Sequence, residues 1–208
     1  MPAGEIIIRI TAKCMEVNEA KTLIAAMEAL VNTRLKQYIY GTDDETLASY
    51  LGKELLRTES TIAFAESCTG GLASSLVTDV PGSSEYLLGS AVTYSNMAKH
   101  KLINVSEESL EAYGAVSWQV ACEMAQGVRE LFGTTYGVGI TGIAGPGGAT
   151  EDKPVGLVYM AVADADGVKW AKHIFGGTRT DNKMRSALTA ISMVIDRIKE
   201  KETENKDK

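Results

Sequence analysis

The spacing of hydrophobic positions changes along the chain, and each change predicts an element. "EIIIRITA" alternates in part and is rich in isoleucine, which predicts a strand over Glu5 to Ala12. "NEAKTLIAAMEALVNTRLKQYI" follows, with Leu23, Met27, Leu30 and Leu35 near helical spacing. Gly41 in "YGTDDET" stops that helix. Thr42 with Glu45 has the form of a capping box for a second helix through "LASYLGKELL". A boundary between Tyr40 and Asp44 divides a small first segment, residues 1–42, from the rest.

From Thr61 the apolar runs shorten and alternate with helical patterns. "TIAFA", "EYLLGSAVTYS" and "TYGVGITG" read as strands; "GGLASSLVTDV", "SEESLEAYG" and "SWQVACEMAQGVRELFG" read as helices, the last capped by Ser117. "IAGPGGATEDKP" is too rich in glycine and proline for anything but a loop. "VGLVYMAVAD" and "VKWAKHIF" flank Asp164-Ala165-Asp166-Gly167, a hairpin signal. "DNKMRSALTAISMVIDRIKEK" closes the domain as an amphipathic helix, and residues 201–208 are expected to fray as a charged tail. Strands interleaved with helices, plus one hairpin, predict a three-layer α/β/α domain with a mixed sheet over residues 43–200. No internal repeat is visible.

Composition narrows the function classes. The chain has 208 residues, 45% hydrophobic and 23% charged, which places it among globular proteins large enough for one sizeable core. A net charge of −6 provides no basic field to attract nucleic acid or anionic lipid over long range. Cys14, Cys68 and Cys122 are odd in number and form no CxxC pair, so reduced thiols are expected rather than disulfides or a zinc site. The first residues lack the positive charge and the long apolar run of a secretion signal, and no run reaches membrane-spanning length. A soluble cytoplasmic protein is expected.

The candidate chemistry lies where predicted strands end. "AESCTGG" sets Glu66, Ser67, Cys68 and Thr69 at the end of a strand, with Gly70 and Gly71 opening the next helix. Ligands of open α/β sheets bind beyond the carboxyl ends of the strands, and helix N-termini there favour anions. Equally, the hydroxyls could only cap the helix while the glycines make the turn. "TYSNMAKHK" adds Tyr94, Ser95, Asn96 and Lys99 on the next strand end. A lysine kept neutral by burial can activate a serine, although most lysines are simply solvated. His100 adjoins Lys99 on a helix and His173 lies in a late strand, so a Ser-His-Asp triad is not expected. "GITGIAGPGGATEDKPVG" brings Thr141, Gly142, Gly145 and Gly147 to a third strand end, where backbone donors can hold a phosphate or an oxyanion. It matches neither the dinucleotide fingerprint nor the P-loop. "FGGTRTDNKMR" puts Arg179 and Arg185 around the start of the last helix, suited to phosphate or carboxylate, or to a solvated cap.

Taken in order, "AESCTGG", "VTYSNMAKHKLI", "YGAVS", "GITGIAGPGGATEDKPVG" and the arginine pair resemble the C-terminal domain of the competence/damage-inducible CinA family over roughly Asp43 to Lys199. Stand-alone bacterial members of that family are nicotinamide mononucleotide deamidases. The first forty-odd residues resemble the small KH-like segment that precedes this domain in long CinA proteins. Their large N-terminal domain has no counterpart in this sequence, so a fragment or a naturally short form is expected. The resemblance implies hydrolysis of the carboxamide of nicotinamide mononucleotide to nicotinate mononucleotide and ammonia, without metal or cofactor. It carries over Ser67 as nucleophile, Lys99 as base and Tyr94 as support for proton transfer. Substrate contacts are expected from Glu66, Thr69, Gly70, Gly71, Asn96, Thr141, Gly142, Gly145, Arg179 and Arg185. Attack by the neighbouring Cys68, or by water activated by Lys99, stays open at this point. A homo-oligomer, most simply a dimer, is also implied. KH domains clamp nucleotides with a GxxG loop. Gly4 and Gly41 are the only glycines in the first segment and cannot form one, so nucleic acid is not an expected partner. A catalytically inactive nucleotide-binding or scaffold domain is the alternative, since family membership does not fix activity.

Overall fold

Residues 5–206 are described in a computed structural model of the chain. Gly4 and the last two residues of the charged tail lie outside them. The helices are α1 (Val17–Leu35), α2 (Leu47–Arg57), α3 (Leu72–Thr78), α4 (Asn96–Ile103), α5 (Glu107–Tyr113), α6 (Trp118–Phe132) and α7 (Arg179–Lys206). The strands are β1 (Ile62–Glu66), β2 (Leu87–Val92), β3 (Tyr136–Gly142), β4 (Leu157–Asp164) and β5 (Gly167–Ile174). They form one sheet in the order β2-β1-β3-β4-β5. β1 runs parallel to both β2 and β3, whereas β4 and β5 are antiparallel. The sheet is mixed, as the sequence predicts.

The core explains the order. Every residue of β1 is buried, as befits a central strand covered on both faces. Ile62 and Phe64 join the core under α2, α3 and α7, while Ala63 and Ala65 pack beneath α4, α5 and α6. The domain thus has three layers. Glycine decides how closely one helix sits. A Cβ on Gly137 would lie 2.1 Å from the carbonyl oxygen of Ala125, and one on Gly139 2.3 Å from that of Ala121, so α6 rests directly on β3. On the opposite face α7 is tied down by a buried ion pair, with Arg197 Nε 2.7 Å from Asp164 Oδ2 at the end of β4.

Four sequence expectations change. Glu5 to Ala12 is not a strand: its backbone pairs with no strand among the described residues, its Glu5 carboxylate only accepts from the Tyr40 hydroxyl, and Ile6 is 91% exposed. A strand needs a partner for its backbone groups, whatever its isoleucine content. The first helix ends at Leu35 rather than Ile39, closing in a short 3-10 turn over Lys36–Tyr38, and it buries none of its side chains. The capping box belongs to Thr46 and Ser49, which exchange side-chain-to-backbone bonds at the start of α2. Glu45 does accept from the Thr42 N–H at 3.2 Å, but within a preceding turn. Finally, the tail does not fray at residue 201. α7 runs to Lys206, helped by Lys201 Nζ at 2.8 Å from Asp166 and by an Arg57–Glu202 ion pair.

Candidate active site

Parallel pairing gathers the carboxyl ends of β1, β2 and β3 at one edge of the sheet. The ladder continues one residue past β1: Ser67 N–H donates to the Ile140 carbonyl at 2.9 Å, and Thr93 N–H to that of Glu66 at 2.8 Å. Ser67 and Thr93 are thereby fixed by backbone bonds to neighbouring strands. Ser95 caps α4 through the Ala98 N–H, and the helix turns Lys99 inward.

Lys99 is 1% exposed. Its Nζ lies 3.0 Å from Ser67 Oγ and 2.8 Å from the Thr93 carbonyl oxygen. Among the described residues no carboxylate is paired with it. Burial without a counter-charge disfavours the ammonium and pushes its pKa down from 10.5 to about 8. Lys99 is therefore able to lose its proton near neutral pH and accept one from the serine hydroxyl. Cys68 points the other way, into the core under α2, α3 and α7, and burial pushes its thiol up to about 12. A thiol so held is not a thiolate at neutral pH. Of the adjacent pair, Ser67 faces the lysine.

Glu66, expected to touch substrate, does something else. It is fully buried and accepts from the N–H groups of Gly71, Ala73 and Ser74 and from the Ser74 hydroxyl, at 2.8–3.1 Å. It caps α3 from the end of β1 and so anchors the turn that carries Ser67. Gly70 and Gly71 have φ of 63° and 92°, conformations that side chains resist, so they shape this turn as expected. Among the described residues the N–H groups of Cys68 and Thr69 donate to no backbone carbonyl outside the regular elements, and both bear on the Cys68 sulfur. Thr69 itself is fully buried, and its hydroxyl has no partner among the described residues.

The remaining candidates divide. Thr141 is buried and its hydroxyl donates to the Ala115 carbonyl at 2.7 Å, holding the "YGAVS" loop against β3 rather than presenting itself to a ligand. Gly142 lies against β4, where a Cβ would stand 2.6 Å from the Leu157 carbonyl oxygen. Arg179 donates to the Gly145 carbonyl at 2.6 Å and to the Tyr94 hydroxyl at 2.9 Å, bridging the glycine-rich loop to the end of β2. Tyr94 is thus engaged with Arg179 and does not join the Lys99–Ser67 pair. Arg185 donates to the Gly176 carbonyl. Asn96 is exposed at the start of α4, and Gly147 faces open space. His100 bonds the Val105 carbonyl, and His173 stacks on Phe175, so neither belongs to the site.

Two residues on α7 were not foreseen. Asn182 is buried and donates to the Ala144 carbonyl at 3.0 Å, fastening the glycine-rich loop to the helix. Lys183 extends over the open backbone of Gly70, its Nζ 3.8 Å from the position a Cβ would occupy there. In sequence, Lys183 is one cation among several on a helix, and nothing in its spacing marks it. Among the described residues no group of His, Cys, Asp and Glu could hold a metal ion, and no helix is long and apolar enough to cross a membrane.

Comparison with known proteins matches two parts of the chain. Residues 44–198 match the CinA C-terminal domain, and residues 2–41 match the KH domain of damage-inducible protein CinA. A relative from Moorella thermoacetica, described as competence-damage inducible, is 48% identical over 92% of this chain and 46% of its own length. A CinA-like protein of Syntrophomonas wolfei is 45% identical over the same shares. The chain spans about half the length of these relatives. Among solved structures, the competence/damage inducible protein CihA from Agrobacterium tumefaciens is 37% identical with a TM-score of 0.72, covering 76% of this chain and 97% of that one. A CinA superfamily protein from Escherichia coli is 28% identical with a TM-score of 0.70, covering 79% and 97%. A three-layer domain with a buried Ser–Lys pair at its parallel strand ends, preceded by a short helical segment, is here the fold of a chain that belongs to the CinA family.

Proposed function

We propose that the chain is an amidohydrolase that converts nicotinamide mononucleotide to nicotinate mononucleotide and ammonia, with Ser67 as nucleophile and Lys99 as base. The observation that carries this reading is the 3.0 Å contact between Ser67 Oγ and a buried lysine whose pKa is held near 8. A neutral amine beside a hydroxyl is what serine needs to attack an amide.

The reaction then runs in two halves. Lys99 takes the Ser67 proton as Oγ adds to the carboxamide carbon. The oxygen of the tetrahedral intermediate gains negative charge, and the N–H groups of Cys68 and Thr69, directly after the nucleophile and held by nothing stronger than the Cys68 sulfur, are the nearest donors in sequence to receive it. The Lys99 ammonium returns its proton to the departing nitrogen as the C–N bond breaks; ammonia leaves and an acyl-Ser67 ester remains. Water, deprotonated by Lys99, adds to the ester carbon. Collapse breaks the ester bond, Lys99 returns its proton to Ser67, and the acid released gives its remaining proton to solvent as it leaves as the carboxylate. No metal or cofactor enters these steps. The Tyr94–Arg179 bridge supports the site by holding the glycine-rich loop beside the end of β2.

The test is release of ammonia from purified protein given nicotinamide mononucleotide and a chelator. Ammonia that appears in proportion to enzyme and disappears in Ser67→Ala supports the reading. Binding of the nucleotide without any ammonia would instead identify an inactive nucleotide-binding domain.

A further inference from the structure

We infer that Lys183, and neither of the two arginines, is the cation that receives the phosphate of the nucleotide and sets the preference for phosphorylated over unphosphorylated substrate. This inference rests on the proposed reading of the site as a mononucleotide amidase. Most of the charges near the site are already committed. The Arg179 guanidinium bonds the Gly145 carbonyl and the Tyr94 hydroxyl, and that of Arg185 the Gly176 carbonyl. Glu66 is fully occupied by the N-terminus of α3. Asp181 folds back onto the Thr178 N–H and hydroxyl at 2.9 and 2.7 Å, forming the cap of α7. Lys183 alone of these groups has no hydrogen bond or ion pair with any described residue.

Its position gives that free charge a direction. Gly70 is exposed, and the Lys183 ammonium stands over it with no side chain between. Gly70 N–H donates to the Ser67 carbonyl at 3.1 Å, closing a four-residue turn whose ends lie within about 7 Å. An anion held by Lys183 is therefore kept one turn from the nucleophile. A mononucleotide separates its carboxamide from its phosphate by a pyridine ring and a ribose, so one end can meet Ser67 while the other meets Lys183. Lys183 also lies in the second turn of α7, a 28-residue helix whose N-terminus carries positive partial charge toward the same edge. A substituent on Gly70 would fill the space under the ammonium. Glycine there keeps it open.

The test compares nicotinamide mononucleotide with its dephosphorylated riboside in wild type and in Lys183→Met, which keeps the length of the side chain. Loss of a charge-assisted contact predicts a rise of about tenfold to a hundredfold in KM for the mononucleotide with little change in kcat, and a matching fall in the ratio of kcat/KM between the two substrates. Lys183→Arg should recover most of the ratio. An unchanged ratio, or equal losses on both substrates, would overturn the assignment. Should wild type release ammonia from neither substrate, the amidase reading fails but the assignment still faces a test. Calorimetric titration with the mononucleotide must then show binding to wild type that weakens at least tenfold in Lys183→Met, and equal or absent binding in both refutes it.

Discussion

Replacing Lys99 with methionine should silence catalysis and also change how stability depends on pH. The buried ammonium titrates near 8 in the folded protein, against 10.5 for the ordinary side chain. Below pH 8 both folded and unfolded chains carry the proton, and the folded state bears the cost of burying the charge. Between 8 and 10.5 the unfolded chain binds more protons than the folded one, so wild-type stability gains with rising pH in that window. Integrated from pH 7 to pH 10, the shift amounts to about 2.5 kcal/mol in favour of the folded wild type. Methionine removes this gain. It also removes two hydrogen bonds, each contributing about 1 kcal/mol, but that loss barely changes with pH. Urea unfolding of both proteins at pH 7 and pH 10 reads the difference directly. The gap in unfolding free energy should move toward wild type by about 2.5 kcal/mol at the higher pH. Parallel behaviour of the two proteins would show that Lys99 is not held near 8, and would remove the basis for its role as a base.

Further outcomes follow from the same structure. The rate of ammonia release at saturating substrate should fall about tenfold per pH unit below 8, since only neutral Lys99 accepts the Ser67 proton; a flat profile from pH 6 to 8 contradicts this. Ser67→Ala should abolish turnover while Cys68→Ala retains it, because the thiol is buried in the core; the reverse pattern in folded variants would make cysteine the nucleophile. Arg197→Met removes the guanidinium from buried Asp164 but leaves Lys201 Nζ 3.4 Å away, so the cost should be about 1.5–3 kcal/mol, and a loss below about 0.5 kcal/mol in denaturant unfolding would show the pair to be dispensable. Light scattering at micromolar concentration should report a homo-oligomer, as the family resemblance implies, and a monomer ends that expectation.

Much of the fold was legible because local pattern and burial agree. "TIAFA" is apolar at every position and becomes a strand covered on both faces, and Asp164-Ala165-Asp166-Gly167 carries its hairpin in its own residues. The glycines after Ser67 announce a turn, since few other residues accept their backbone angles. Other features depended on what each segment meets. The isoleucines of residues 6–8 promise a strand but find no partner for their backbone among the described residues. Glu66 reads as a substrate contact until the start of α3 is seen to direct three N–H groups at it. Lys99 lies 32 residues from Ser67 and would ordinarily be solvated; parallel pairing of β1 with β2 and the inward turn of α4 bury it against the serine. Within the sheet domain the sequence by itself determined which stretches extend, coil and turn, because those choices rest on steric preference and on burying apolar side chains. Only the tertiary structure decided which charges are free and which are bound, because a charge takes its pKa and its partner from groups that the chain brings to it from far away in sequence.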